Sequence, residues 1–322
     1  MEHPINLHSD INAFRNAIQA ASQELNILPV FIEKDYWISL VLKRLSESKY
    51  VESVVFKGGT SLSKGYGLID RFSEDIDIAV VNTLGLTGNQ LKKLMRTVEK
   101  EIARDLVEIV KEGVTSKGSR FRKSVYEYSV IPQRANPAVS NTIIVELNSF
   151  ANPYPYSKIP IQSLIGEYLQ TTSKFDLIHK YELQAFQLNV LGKNRTLIEK
   201  LVSLIRFSFD KNPIESISGK IRHFYDLHFL YNDPECNQYV NSKEFKSDLN
   251  EILEHDKKAF DEPKGWYKKP LNASPLLKDF DGLWNTLKQV YTKELSMLAF
   301  TEIPNEKDIA ANFKRLISNL ER

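Results

Sequence analysis

Residues 56–78 carry two motifs: Phe56-Lys57-Gly58-Gly59-Thr60-Ser61-Leu62 and, further on, Arg71-Phe72-Ser73-Glu74-Asp75-Ile76-Asp77-Ile78. The apolar run over 51–57 predicts a buried strand that ends at the two glycines, with a short helix starting at Thr60. Glycines let a backbone approach a ligand closely, and the amides at a helix start point at an anion. Thr60 and Ser61 add hydroxyl donors. The second motif predicts another strand over 75–80, on which Asp75 and Asp77 share a face because side chains alternate. Two carboxylates so placed repel each other unless a cation lies between them. Hard oxygen donors of this kind suit Mg²⁺ (or Mn²⁺), which is usually held by one or two carboxylates plus substrate phosphates. Ile76 and Ile78 face the core. The alternative is an edge strand whose acids merely face water.

Outward from this segment, apolar spacing behind Ser9-Asp10 predicts a helix from Ile11 to Leu25, and a second runs from Pro29 to Lys43. A long amphipathic helix is expected from Thr87 to Lys111. Residues 123–131 and 141–150 read as paired antiparallel strands joined by a turn around Pro132 and Asn136-Pro137. Residues 182–191 allow one more strand. From Thr196 onward the pattern is helical, over 196–209, 218–231, 242–255, 276–300 and 306–320, with 256–275 the least structured stretch. Strands interleaved with helices, followed by a run of helices, predict an α+β fold with a mixed sheet and a mainly helical second part. The expected domains are 1–170 and 171–322.

The 322 residues allow a large core, and the composition, 42% apolar and 26% charged, is that of an ordinary globular chain. No uncharged apolar run approaches the roughly 20 residues of a membrane span. Met1–Asp10 lacks a signal-peptide pattern, and the single Cys236 excludes an internal disulfide, so a cytoplasmic protein is expected. A net charge of +2 means that any nucleic-acid surface is a local patch. Three clusters qualify: Lys117, Arg120, Arg122 and Lys123 with Phe121; Lys193 and Arg195; and Lys264, Lys268 and Lys269 around Trp266-Tyr267. Such clusters either track a phosphate backbone, with the aromatics stacking an unpaired base, or are solvated loops.

The Gly-Gly turn, short helix and Asp-x-Asp strand resemble the nucleotidyltransferase fold, of polymerase-beta-like type. Their wording, with Glu33-Lys34-Asp35-Tyr36-Trp37 upstream, resembles the AbiEii/AbiGii branch, toxins of type IV toxin–antitoxin and phage-abortive systems related to the MenT toxins. The resemblance is specific over about 30–80 and looser to about 232. It implies a metal-dependent enzyme that moves a nucleotidyl group from an NTP to an acceptor. The implied acceptor is an RNA, by resemblance a tRNA 3′ end, with translation blocked and a cognate antitoxin restraining the enzyme. The rivals are nucleotidylation of a protein hydroxyl and a catalytically silent, antitoxin-like nucleic-acid-binding module.

The resemblance places the triphosphate on Lys57, Gly58, Gly59, Thr60 and Ser61, and on Lys200, which matches the family's third motif. Thr196 and Glu199 read as a capping box that puts Lys200 in the first turns of a helix, where a cation makes sense if an anion lies in front. Asp226 matches the fourth motif. It either orients Lys200 or acts as a base toward the acceptor hydroxyl; its bland reading is an i,i+4 pair with Arg222. Glu146, on a predicted strand, is either a third metal ligand, as a two-metal site needs, or an ordinary exposed residue. Ser73 either bonds a phosphate or caps a turn. Arg71 either reaches a phosphate or pairs with Asp70 or Glu74.

Overall fold

The computed structural model describes residues 5–82, 85–131 and 139–321, and these form two compact units. The first holds the chain up to Gly67 and Phe72–Leu191; the second holds Leu68–Arg71 and Gly192–Arg322. The expected turn around Pro132 and Asn136-Pro137 lies outside the described residues.

The first unit begins with α1 (Ile11–Leu25) and α2 (Pro29–Ser46), continues through β1 (Val54–Lys57), α3 (Gly58–Lys64), β2 (Asp75–Val80), α4 (Gly88–Ile102), β3 (Val107–Ile109), β4 (Ser116–Lys117), β5 (Phe121–Glu127) and β6 (Thr142–Asn148), and ends with β7 (Tyr156–Ile161), α5 (Leu164–Thr171), α6 (Phe175–Lys180) and β8 (Phe186–Leu191). The strands form one mixed sheet in the order β3-β5-β6-β2-β1-β8-β7, with β4 on β5. β1 runs antiparallel to β2 and parallel to β8, while β2 runs parallel to β6. One face of its middle strands is apolar: Phe56, Ile76, Ile78, Val145 and Leu147 share it by register and are all buried. The Asp10 carboxylate caps α1 by accepting from the Ala13 amide, as its position predicts.

The second unit is helical: α7 (Lys193–Ser208), α8 (Pro213–Ser218), α9 (Arg222–Asn232), α10 (Pro234–Val240), α11 (Lys243–Ala259), α12 (Pro275–Lys278), α13 (Phe280–Leu298) and α14 (Glu306–Glu321). Aromatic rings knit it together: Phe224 of α9 meets Phe313 of α14 edge-on at 4.8 Å between centroids, and Phe280 stacks on Trp284 at 5.7 Å. Among the described residues no helix is long and apolar enough to cross a membrane.

Several expectations change. The helix expected over 87–111 ends at Ile102, because Val107–Ile109 is taken into the sheet beside β5. The first unit extends to Leu191 and not to residue 170, because β8 pairs with β7 along six residues and with β1. The helix expected over 218–231 starts only at Arg222, as α9; a separate short helix, α8, ends at Ser218 just before Gly219. Within 256–275, α11 continues to Ala259 and Trp266 is buried, its indole N–H donating to the Phe260 carbonyl at 2.9 Å. Trp266 is therefore not a free stacking platform; Tyr267 beside it is exposed.

Candidate active site

Two clusters of charge stand out, one in each unit. In the first unit, β2 spans residues 75–80 as expected, so Asp75 and Asp77 point to one face. The register extends this face into a row across four adjacent strands. Lys57 of β1 lies opposite Asp77, Asp77 lies opposite Glu146 of β6, and Glu146 lies opposite Lys123 of β5. The Lys123 ammonium contacts Glu146 at 3.1 Å. Burial works against the charge on Lys123, yet Glu146, Asp75 and Asp77 together raise its pKa above the ordinary lysine value.

The Gly58-Gly59 turn abuts this row. Gly58 has φ +80° and presses on Asp77: a Cβ there would fall 2.0 Å from Asp77 Oδ2. α3 starts at Gly58, two residues earlier than expected. The Thr60 hydroxyl donates to the Asp75 carbonyl, and the Ser61 hydroxyl to the Gly58 carbonyl at 2.8 Å. Both side chains are buried: Thr60 ties the loop to the strand and Ser61 closes the first turn of α3, where hydroxyl donors for phosphate were expected. Ser73 is half-buried and lies two residues ahead of the first residue of β2, outside the strand.

Asp75 Oδ1 is buried and has no hydrogen-bond partner. A buried carboxylate oxygen left unpaired is costly, and a hard cation is the partner that two such groups suit. The Asp75–Asp77 pair therefore fits one divalent cation. Among the described residues no three His, Cys, Asp or Glu side chains are grouped to hold a metal ion, and Glu146 is engaged by Lys123.

Glu33-Lys34-Asp35 on α2 wires this face in place. The buried Lys34 ammonium contacts Glu74 at 2.6 Å and donates to the Ser140 carbonyl at 2.8 Å, fixing the segments that lead into β2 and β6. Burial lowers its pKa, opposed by Glu74. Asp35 binds Lys64 at the end of α3 and accepts from the Leu164 amide at the start of α5 at 2.7 Å. Glu33 accepts from the Ile131 amide at 2.7 Å. The sequence signal for this brace is three successive charges inside the otherwise uncharged stretch 29–42 of α2.

In the second unit, Asp226 of α9 is fully buried and binds two cations. Arg71 grips it through Nε and Nη2, both at 2.7 Å, and the Lys200 ammonium lies 2.7 Å from Oδ2. Burial would raise the Asp226 pKa, but Arg71 and Lys200 more than offset it and hold it well below the usual carboxylate range. Arg71 is thus interior, paired with neither Asp70 nor Glu74 and not turned out toward a phosphate. The alternative reading of Asp226 as an i,i+4 partner of Arg222 does not hold, because Arg222 binds Glu294 at 2.7 Å and Asp226 is taken by Arg71 and Lys200. The capping box at Thr196 does not form: α7 starts at Lys193, and the Thr196 hydroxyl donates to the Gly192 carbonyl at 3.2 Å. Lys200 consequently sits in the third turn of α7. Its neighbour His223 is pushed well below its ordinary pKa by burial and by the Lys200 charge.

A model of the nucleotidyl transferase AbiEii toxin family, of type IV toxin–antitoxin systems, matches residues 40–320. The chain belongs to this family. No curated protein matches it. Among solved structures, the AbiEii-family chain is similar to MenT4, a nucleotidyltransferase toxin from Mycobacterium tuberculosis H37Rv, at 16% identity and a TM-score of 0.49, with 96% of this chain and 98% of that one covered.

The basic clusters of the AbiEii-family chain fare unevenly. Arg122 is buried, with Nε 2.8 Å from Glu99 of α4, so its guanidinium belongs to the interior and is not an exposed RNA contact. Lys117 joins the same acid at 3.0 Å and also binds Glu108. Lys193 is held by Asp233 at 2.9 Å and Glu235 at 3.0 Å, and Arg195 by Glu199 at 3.4 Å. Arg120 remains exposed, as do Lys264, Lys268 and Lys269. For Arg122 and Lys117 the cause is Glu99: an acid on the apolar stripe of Leu91, Met95, Val98 and Ile102 needs cations beside it.

Proposed function

We propose that this nucleotidyltransferase moves a nucleotidyl group from an NTP to the 3′ hydroxyl of an RNA, and that the RNA is a tRNA. Blocked translation is the outcome, in the cytoplasm and in a phage-defence setting, and a cognate antitoxin restrains the enzyme. The observation that carries the catalytic part is the Asp75–Asp77 pair, with one buried oxygen lacking a partner and Gly58 pressed against the other carboxylate.

Asp75 and Asp77 hold the cation, Mg²⁺ or Mn²⁺, which when bound polarises the α-phosphate and lowers the pKa of the acceptor hydroxyl. The Lys57–Ser61 turn takes the triphosphate through its backbone amides. The acceptor oxygen bonds the α-phosphorus, the bond to the β-phosphate oxygen breaks, and pyrophosphate leaves while the proton passes to water. Lys200 is the cation assigned to the phosphates by the family's third motif. Asp226 acts by holding Lys200 and not as a base: its oxygens are taken up by two cations, and a depressed pKa makes a poor proton acceptor. A single-stranded 3′ end suits stacking recognition, and the exposed Tyr267 among Lys264, Lys268 and Lys269 offers charge and a ring together.

The test incubates the purified chain with each labelled NTP, a divalent cation and either total tRNA or total protein. Label at tRNA 3′ ends, located by sequencing, is the expected result. Label on protein alone would replace the RNA acceptor with a protein hydroxyl. No pyrophosphate release with any acceptor would sink the enzymatic reading.

A further inference from the structure

The row across the sheet holds a cation where a two-metal centre would need an open carboxylate. We propose that Lys123, clamped by Glu146, stands in place of a second divalent cation, so that the site takes one metal ion on Asp75 and Asp77 and Glu146 is a positioning residue for Lys123. This rests on the nucleotidyl-transfer reading above and specifies its metal requirement.

Lys123 and Glu146 are directly opposed on antiparallel strands, so the backbone brings their side chains to the same face. Slippage of β5 by one residue would turn Lys123 to the other face. The neighbours of Lys123 prevent this. Arg122 and Ser124 point to the opposite face, where both bind the buried Glu99. The Glu99 cluster thereby pins β5 from behind and keeps the ammonium at 3.1 Å from Glu146.

Electrostatics points the same way. A two-metal centre needs carboxylates that reach both ions, about 3.5–4 Å apart. Glu146, next to Asp77 in the row, is the residue placed to bridge toward a second ion. An ion there would lie against a fixed ammonium, and like charges at such range repel strongly. Lys57, opposite Asp77 on the far flank, adds to the same positive bias.

The test counts Mn²⁺ bound per full-length chain, from the electron paramagnetic resonance of free Mn²⁺, with a saturating non-hydrolysable NTP analogue and the analogue's own binding subtracted. Wild type and Glu146→Gln should bind the same number. Lys123→Gln should bind one more, because Glu146 is released, and Lys123→Gln with Glu146→Gln should return to the wild-type count. A Lys123→Gln count equal to wild type, a loss of one ion in Glu146→Gln, or no Mn²⁺ on wild type would each overturn the proposal. If Lys123→Gln fails to fold by thermal unfolding, the Glu146→Gln count decides alone. Absence of transfer by wild type to any acceptor would sink the nucleotidyl-transfer reading while leaving these counts unchanged, so the two failures are distinguishable.

Discussion

Gly58 and Asp77 are in such close contact that the glycine has no room for a side chain: a Cβ would fall 2.0 Å from the carboxylate oxygen Oδ2 and 2.9 Å from Cγ. The turn and the acid strand are therefore one construction. Gly58→Ala must strain a left-handed backbone, for about 1–3 kcal/mol, and also move Asp77. Thermal unfolding should show that modest loss, while nucleotidyl transfer falls far more than the loss of folded protein explains. Transfer that merely tracks the folded fraction would mean that the contact has no catalytic role.

Asp75→Asn keeps the shape of the side chain and removes its charge. Because Oδ1 is buried without a partner, the folded protein should be as stable as wild type or more so. Transfer should drop by about 10²–10³ or more, as when a group that stabilises developing charge is lost. Pyrophosphate release at the wild-type rate would remove Asp75 from the site.

The Arg71–Asp226–Lys200 cluster separates stability from activity. Asp226→Ala strands two buried cations and should cost about 3–5 kcal/mol in urea unfolding. Lys200→Met leaves the Arg71–Asp226 pair intact and should be much milder in unfolding, yet lose NTP affinity. Equal NTP binding by Lys200→Met and wild type would place Lys200 outside the site.

The same cluster sets an acid limit. The folded pKa of Asp226 is depressed below its ordinary 3.8, so its contribution is complete above that value. It is lost as pH falls through the depressed folded value, when the carboxylate finally protonates. Asp226→Asn should therefore narrow its stability gap to wild type as acid is added below pH 3.8. A gap that stays constant throughout that range would show that Asp226 is not held ionised.

For the acceptor, Lys264, Lys268 and Lys269 are the exposed cluster. Replacing all three with Gln should lower the slope of log RNA affinity against log salt by about 2, at roughly 0.7 per single-strand phosphate contact. Binding of NTP alone should not change. An unaltered slope would leave this segment a solvated loop.

Much of the first unit was legible because its signals are local. Alternation over 75–80, the apolar run before Gly58 and the Asp10 cap each involve neighbours in the chain, and α1, β1 and β2 form where those signals lie. The Asp-x-Asp face follows from strand geometry alone. The identity of each cation's partner was not legible. Arg122, Lys117 and Lys193 read as exposed charge, and Arg71 as a phosphate contact or a partner of Asp70 or Glu74, because nothing within a few residues of them announces Glu99, Asp226 or Asp233. The helix expected to 111 likewise stopped short, since a strand edge nearby in space outweighed a helical pattern that is weak beyond Ile102.

By itself, then, the chain determined which residue types stand two apart on a strand and which glycine must turn before it, because backbone alternation and positive φ are properties of a few consecutive residues. Only the tertiary structure decided that Asp77 lies between Lys57 and Glu146, that Glu146 is taken by Lys123, and that Asp226 carries both Arg71 and Lys200. Those pairings join residues far apart in sequence. Burial makes an unpaired charge too costly to leave, so the partners are chosen by which charges the folded backbone brings within reach of one another.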